Sequence, residues 1–225
     1  SYTWTPSVIG SATLLSRAVD DSGNLETPGS GVTVNVQPQT CPCTIWNASS
    51  SPATPDSGDN NSVEVGVKFR ADSDGSVLGI RFYKATTNTG THVGHLWSST
   101  GALLGTATFT SESGSGWQQV YFSSPIPVTA NTTYVAAYHT NGAYVATNNF
   151  FTSAYTSGAL TAPSTTAAGG NGVYSYGGTA TAGIFPTSTY SAANYWADVV
   201  FTASGPNTPP TAVADTADAT EKGGT

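Results

Sequence analysis

Charge is scarce in this sequence. Asp, Glu, Lys and Arg make up 8% of its 225 residues, against about 25% in ordinary soluble domains. From Ser113 to Ala197 none of the four occurs. The chain has six Lys and Arg against thirteen acids, a formal net charge of −7. That balance argues against a nucleic-acid partner, because phosphate contacts need clustered cations. Only Lys68, Arg70, Arg81 and Lys84 lie near one another. No apolar run reaches the ~18 residues of a membrane-spanning helix, so no membrane insertion is expected. Methionine is absent and there are two cysteines, Cys41 and Cys43. A lone C-P-C lacks the second pair that a structural zinc site needs, and it is not the C-x-x-C of redox enzymes. No secretory leader or lipidation motif is visible, and "SYTWTPSVIG" reads as strand and turn. The sequence is therefore expected to be a mature or excised segment.

Hydrophobic residues, at 38% with 11% aromatics, suffice for a folded core. Solubility then rests on Thr, Ser, Asn and Gly. An uncharged, hydrogen-bonding surface carrying flat rings suits neutral glycans. The same residues also serve the outward positions of secreted β-strands.

Helical periodicity is missing, and short alternating runs broken by Gly, Asn, Asp and Pro indicate an all-β chain. Residues 1–38 contain two strand-like runs, Ala12–Val19 and Gly31–Val36, around the turn "DDSGN". They resemble the last strands of a bacterial immunoglobulin-like repeat, and fewer strands are present than the roughly seven of a full sandwich. Residues 41–204 form the main domain. Its expected strands are Val63–Ala71, Val77–Lys84, His92–Ser98, Leu103–Phe109, Trp117–Phe122, Thr133–His139, Ala143–Ala146, Val173–Tyr176 and Tyr195–Thr202. In "VEVGVKF" the residues Val63, Val65, Val67 and Phe69 share one face. Glu64, Gly66 and Lys68 share the other, which is expected to meet solvent. "ADSDGS" reads as a hairpin turn, and Thr147 to Gly172 as a long loop. Many short strands imply an antiparallel β-sandwich of jelly-roll type. Residues 205–225, with their Pro-Pro pair, read as a stiff connector and resemble the opening of a cadherin-like repeat.

The main domain resembles the family catalogued as domain of unknown function 4082. The matching motifs are "CPCTIW", "VEVGVKFRADSDGSVLGIRFYK", "NTGTHVGHLWSSTGALL", "GWQQVYFSSPIPVTANTTYVAAY", "NGVYSYGG", "FPTSTY" and "NYWADVVF", over about residues 41–203. The resemblance implies a non-catalytic extracellular accessory module of a larger secreted or cell-surface protein, beside neighbouring repeats. It implies no defined ligand.

Catalysis finds little support in the residues. There is no G-x-S-x-G elbow. Among the acids, Glu64 and Asp198 are the one pair worth weighing for two opposed carboxylates. The first and last long strands of a jelly roll are commonly neighbours, and both acids sit opposite the apolar face of their strands. The same pair, with backbone carbonyls, could hold a structural calcium. Alternatively each pairs with Lys68, Arg70 or Arg81. His92 and His95 are three apart on a strand and so point to opposite faces, and His139 stands alone, which disfavours zinc. "DSDG" at Asp72–Gly75 lacks the rest of a calcium loop.

Aromatic residues are the main functional signal. Trp97 and Trp117 read as core. Trp196, on the strand face of Asp198, is expected to point outward. Tyr174, Tyr176 and Tyr190, with Asn194 and Trp196, could stack on sugars and bond their hydroxyls. Alternatively these rings plug the end of the sandwich beneath the long loop. A binding module for a polysaccharide or cell-surface glycan and a structural spacer or adhesion repeat both remain open. Cys41 and Cys43 are expected to form a local disulfide at the domain's entrance, followed by Thr44–Trp46 as the first core strand.

Overall fold

The alternation in "VEVGVKF" produces a strand whose Val63, Val65, Val67 and Phe69 side chains are fully buried on one face. This strand, β3, spans Val63–Ala71 in a computed structural model that describes residues 10–15, 23, 25, 27–36, 41–53 and 56–204. The connector at 205–225 and most of the "DDSGN" turn lie outside the described residues.

β1 (Gly10–Leu14) and β2 (Val32–Val36) form an antiparallel pair of their own. The main domain is an antiparallel sandwich of two sheets. The strands of the smaller sheet are β4 (Gly75–Lys84), β7 (Gly116–Val128) and β13 (Ala197–Ala203), in the order β13-β4-β7. In the larger sheet β3 is joined by β5 (Val93–Ser98), β6 (Leu103–Thr108), β8 (Tyr134–Thr140), β11 (Val173–Tyr176) and β12 (Ser188–Thr189). Their order is β12-β11-β3-β8-β5-β6. Two short strands, β9 (Tyr155–Ser157) and β10 (Leu160–Ala162), extend it, with β10 pairing on β3. No α-helix occurs among the described residues. A single 3-10 turn covers Phe150–Thr152.

Several expectations change. "ADSDGS" is not a hairpin turn, because β3 and β4 lie in different sheets. The turn carries the chain over the end of the core, so the apolar faces of both strands meet. Asp74 secures it by accepting the Ala130 amide at 2.8 Å. The stretch after Thr147 is not a bare loop, because β9, β10 and the 3-10 turn fall in it and bury Phe151, Leu160 and Ala162. Ala143–Ala146 is not a strand. β7 runs on through Pro125 and Pro127. It is a sheet edge, where a missing amide donor costs no ladder bond.

The core between the sheets is aromatic at its centre. Phe82 of β4 stacks on Tyr138 of β8 at 4.2 Å and meets Phe109 edge-on at 4.8 Å. Gly94 of β5 permits this approach, since a Cβ there would lie 2.8 Å from the Cβ of Ile80. Replacing Phe82 by Ala is expected to lower stability by about 3–5 kcal/mol, as a lost ring plus the cavity left behind. Urea unfolding of the variant checks this, and a loss under about 1 kcal/mol would show that the two sheets do not close on that ring.

Candidate functional site

The site is built where the segments 147–151 and 190–196 zip together beside the sandwich. Thr147 and Asn194 exchange backbone hydrogen bonds at 2.9 Å in both directions. The Asn149 and Phe151 amides donate to the Ser191 and Ala192 carbonyls at 2.7 and 2.9 Å. Four residues here take left-handed backbone angles without being glycine: Asn149, Ser191, Ala192 and Trp196. Asn tolerates that region, but for the others it costs on the order of 1 kcal/mol or more each. The bonds and packing around them hold the conformation. Gly172 is required below the site: at φ +69°, its backbone lies so close to Ala193 that a Cβ would strike the Ala193 carbonyl.

Above this floor opens a cleft of about 450 Å³, lined by Asp56, Tyr144, Asn148, Tyr190 and Tyr195 among others. Tyr190 is 61% exposed. Tyr144 and Tyr195 meet edge-to-face at 5.6 Å. The loop opposite is tied to Tyr144 through its backbone: the Ser57 amide donates to the Tyr144 carbonyl at 2.7 Å, and the Tyr144 amide to Ser57 Oγ at 3.2 Å. Asp56 stays beside it, accepting from the Thr87 hydroxyl and from the Gly58 amide at 2.9 Å. Those two bonds hold its carboxyl below the usual range. Further along the loop, Asp59 accepts the Tyr176 hydroxyl at 2.6 Å. Burial raises the Asp59 carboxyl, but the bonds from Tyr176, Asn61 and the Asn60 amide together hold it below its ordinary value. A second cleft, of about 350 Å³, is lined by Asn61, Ser62, Tyr176 and Gly177. Burial raises the phenols of Tyr144 and Tyr195, and the bond to Asp59 raises that of Tyr176. All three stay neutral hydroxyls, able to donate and accept.

The expected site residues divide. Tyr190 lies in the cleft. Tyr176 is 50% exposed in the second cleft, and Tyr174 packs between Tyr176 and Tyr195 at 5.6 and 6.1 Å. Asn194 is fully buried, and its Oδ1 accepts the Trp196 amide at 2.8 Å, so it shapes the backbone instead of facing a ligand. Trp196 does not point outward: it is 4% exposed, among Trp46, Phe150, Tyr83 and Trp117. β13 begins at Ala197, and Trp196 sits at φ +55°, so strand alternation does not extend to it. Its ring nitrogen donates to Thr147 Oγ1 at 2.9 Å, below the cleft. Sequence reasoning missed Asp56, Tyr144, Asn148 and Tyr195. Tyr144 and Tyr195 fell in expected strands, and nothing in the local pattern of Asp56 and Asn148 separates them from turn residues.

Glu64 and Asp198 do not form a pair. They lie in different sheets, on faces turned away from each other, and both are fully buried. The face of Glu64 does not meet solvent, because the segment after β11 covers it. A Cβ on Gly183 would come within 2.8 Å of Trp97 and 3.0 Å of His95. Glu64 lies 2.7 Å from His95 Nδ1 and 3.4 Å from His139 Nδ1, so His139 is not alone. His92 turns the other way, to Glu112 at 2.8 Å and Asn88 at 2.8 Å, as strand spacing requires. Among the described residues, no three His, Cys, Asp or Glu side chains converge to hold a metal ion.

Asp198 has the Arg81 partner weighed from sequence, at 3.2 Å. It also accepts the amides of Ile45, Trp46 and Val199, at 2.8, 3.3 and 2.7 Å. Burial pushes its carboxyl up to about 7, against the pull of Arg81 and of those three amides. The entry segment it holds is not a strand. Cys43 alone bridges to Phe201, and Ile45 and Trp46 then plug the core, 0% and 1% exposed. Cys41 and Cys43 form the expected disulfide, with Cα atoms 4.4 Å apart. Asp198→Ala leaves Arg81 buried and three amides unpaired, and is expected to cost roughly 3–5 kcal/mol. Denaturant unfolding reads the loss, and a change within 1 kcal/mol or so would show that the carboxylate does not hold the entry segment.

The sequence model of a protein family described as "Domain of unknown function (DUF4082)" matches residues 49–197. The match covers every residue lining the two clefts, and it begins after Cys41, Cys43 and Trp46. No curated protein matches the chain.

Proposed function

The chain belongs to the DUF4082 family, and we propose that it is a non-catalytic accessory module of a larger extracellular protein that holds a polysaccharide or cell-surface glycan. The observation that carries this reading is the cleft of about 450 Å³, where Tyr144, Tyr190 and Tyr195 stand with Asp56, Thr147 and Asn148. Sugars offer an apolar face that stacks on rings and a hydroxyl rim that needs donors and acceptors, and this lining supplies both. One carboxylate lines the cleft, which supports binding over glycoside cleavage, a reaction that commonly uses two opposed carboxyl groups.

The Cys41–Cys43 disulfide supports an oxidising, extracellular setting. The β1–β2 hairpin supports a place among tandem repeats. Leu14, Leu15 and Val32 are 40%, 59% and 66% exposed on it, and a two-stranded hairpin is marginal without a packing partner. That same hairpin favours a second reading, a spacer or adhesion repeat whose role is to join its neighbours.

Tyr190→Ala separates the two readings. Tyr190 is exposed, so its removal is expected to leave the melting temperature within about 2 °C of the parent. Retention on insoluble polysaccharides or on a glycan array is expected to fall by roughly tenfold or more through lost stacking. A parent protein that binds no glycan on the array supports the spacer.

A further inference from the structure

We infer that the tyrosine cleft selects a glycan whose sugar units carry free amino groups, a glucosamine polymer, over its neutral counterparts. The inference rests on reading the cleft as a glycan site, and it names the class of glycan.

The uncharged stretch from Ser113 to Ala197 points by itself to a neutral ligand. The structure adds a charge from elsewhere in the chain. Asp56 enters the cleft from the loop before β3, between Ala53 and Ser57 and across from Tyr144 and Tyr190. Its partners, Thr87 and Gly58, are neutral donors. They keep it ionised without cancelling its charge. Asp59, three residues on, is held in the same way by Tyr176 and Asn61.

No cation answers these charges among the described residues. Arg81 is paired with Asp198 and Lys84 with Glu112. Lys68 donates to the Ala168 carbonyl at 2.9 Å, and Arg70 lines a separate pocket with Asp72 and Asn131. None of the four lines the tyrosine cleft.

An ammonium group gains from both parts of such a site. It is attracted to the faces of aromatic rings and to an unpaired carboxylate nearby, more strongly as water is excluded. A neutral hydroxyl or acetamido group at the same position gains only hydrogen bonds. The second cleft, with Tyr176 and the neighbouring Asp59, repeats the combination of ring and acid. Tyr174 links the two, packing between Tyr176 of the second cleft and Tyr195 of the first at 5.6 and 6.1 Å. Two acids on one loop, each near a ring from elsewhere in the chain, suit a polymer with an amine on each unit.

The test compares glucosamine hexamer, its fully N-acetylated form and cellohexaose on the intact chain. Titration calorimetry at low salt and mildly acidic pH keeps the amines protonated. The glucosamine hexamer is expected to bind about tenfold more tightly than the other two, a margin that shrinks as added salt screens the charges. Asp56→Asn is expected to bring the three affinities within about threefold of one another. The wild-type comparison stands however that variant folds. Equal binding of all three sugars overturns this inference and leaves the glycan-binding reading intact. If no sugar binds, that reading falls as well. Hexalysine binding as tightly as the glucosamine hexamer also overturns the inference, because it would reduce the site to general attraction for cations.

Discussion

Asp198 is the constraint on which the tyrosine cleft depends. Its carboxylate gathers two amides of the entry segment, the amide of Val199 and the guanidinium of Arg81 at one buried point. That fixes Trp46, whose ring nitrogen donates to the Ala197 carbonyl at 2.9 Å. Trp46 in turn supports Phe150, Tyr155 and Trp196, with ring centroids 4.7–5.7 Å away. Phe150 and Trp196 belong to the two segments whose backbones zip together under the tyrosine cleft. A residue with no ligand role thus sets the height and tilt of the floor on which Tyr190 and Tyr195 stand.

The scarcity of charge has a structural counterpart. Glu64, Asp198 and Arg81 are buried, and the Lys84–Glu112 pair is nearly so. Buried charges are costly unless paired and hydrogen-bonded. Asp198 meets that condition with four partners. Glu64 meets it only in part, through one hydrogen bond with His95 at 2.7 Å, with His139 at 3.4 Å from an oxygen that has no hydrogen-bond partner. Most of the other charged groups in the main domain stay near the surface. Asp56 lines the tyrosine cleft, and Asp59 accepts the hydroxyl of Tyr176 beside the second. The protein therefore presents an outer surface made largely of hydroxyls, amides and rings, with half-buried Asp56 and Asp59 near the tyrosines and exposed Asp72 and Asp74 in the turn between β3 and β4.

Conformation at the site is held against local preference. Ser191, Ala192 and Trp196 occupy left-handed angles that their own side chains disfavour. The aromatic cluster below and the backbone bonds to 147–151 compensate. Such strain persists only where surrounding structure over-determines it, so the chain itself sets the shape of the cleft. A pre-shaped site loses less conformational freedom on binding.

Much of this architecture is legible in the residues. The alternation of β3, the composition of the strands and the proximity of Cys41 and Cys43 determined an all-β sandwich with a clipped entrance, because strand faces and short chain separations are local properties. Tyr190 and Tyr176 stood out for the same reason, as rings in short segments separated by Gly and Thr. The fate of Trp196 was decided elsewhere. Its strand starts two residues later than its sequence pattern suggests, and one left-handed backbone angle turns the ring inward. Only the tertiary structure separated Glu64 from Asp198, and only it brought Asp56 beside Tyr144 and Tyr190. Which sheet a strand joins, and which distant loop closes over it, depend on contacts between residues far apart in the chain, and no local pattern encodes those.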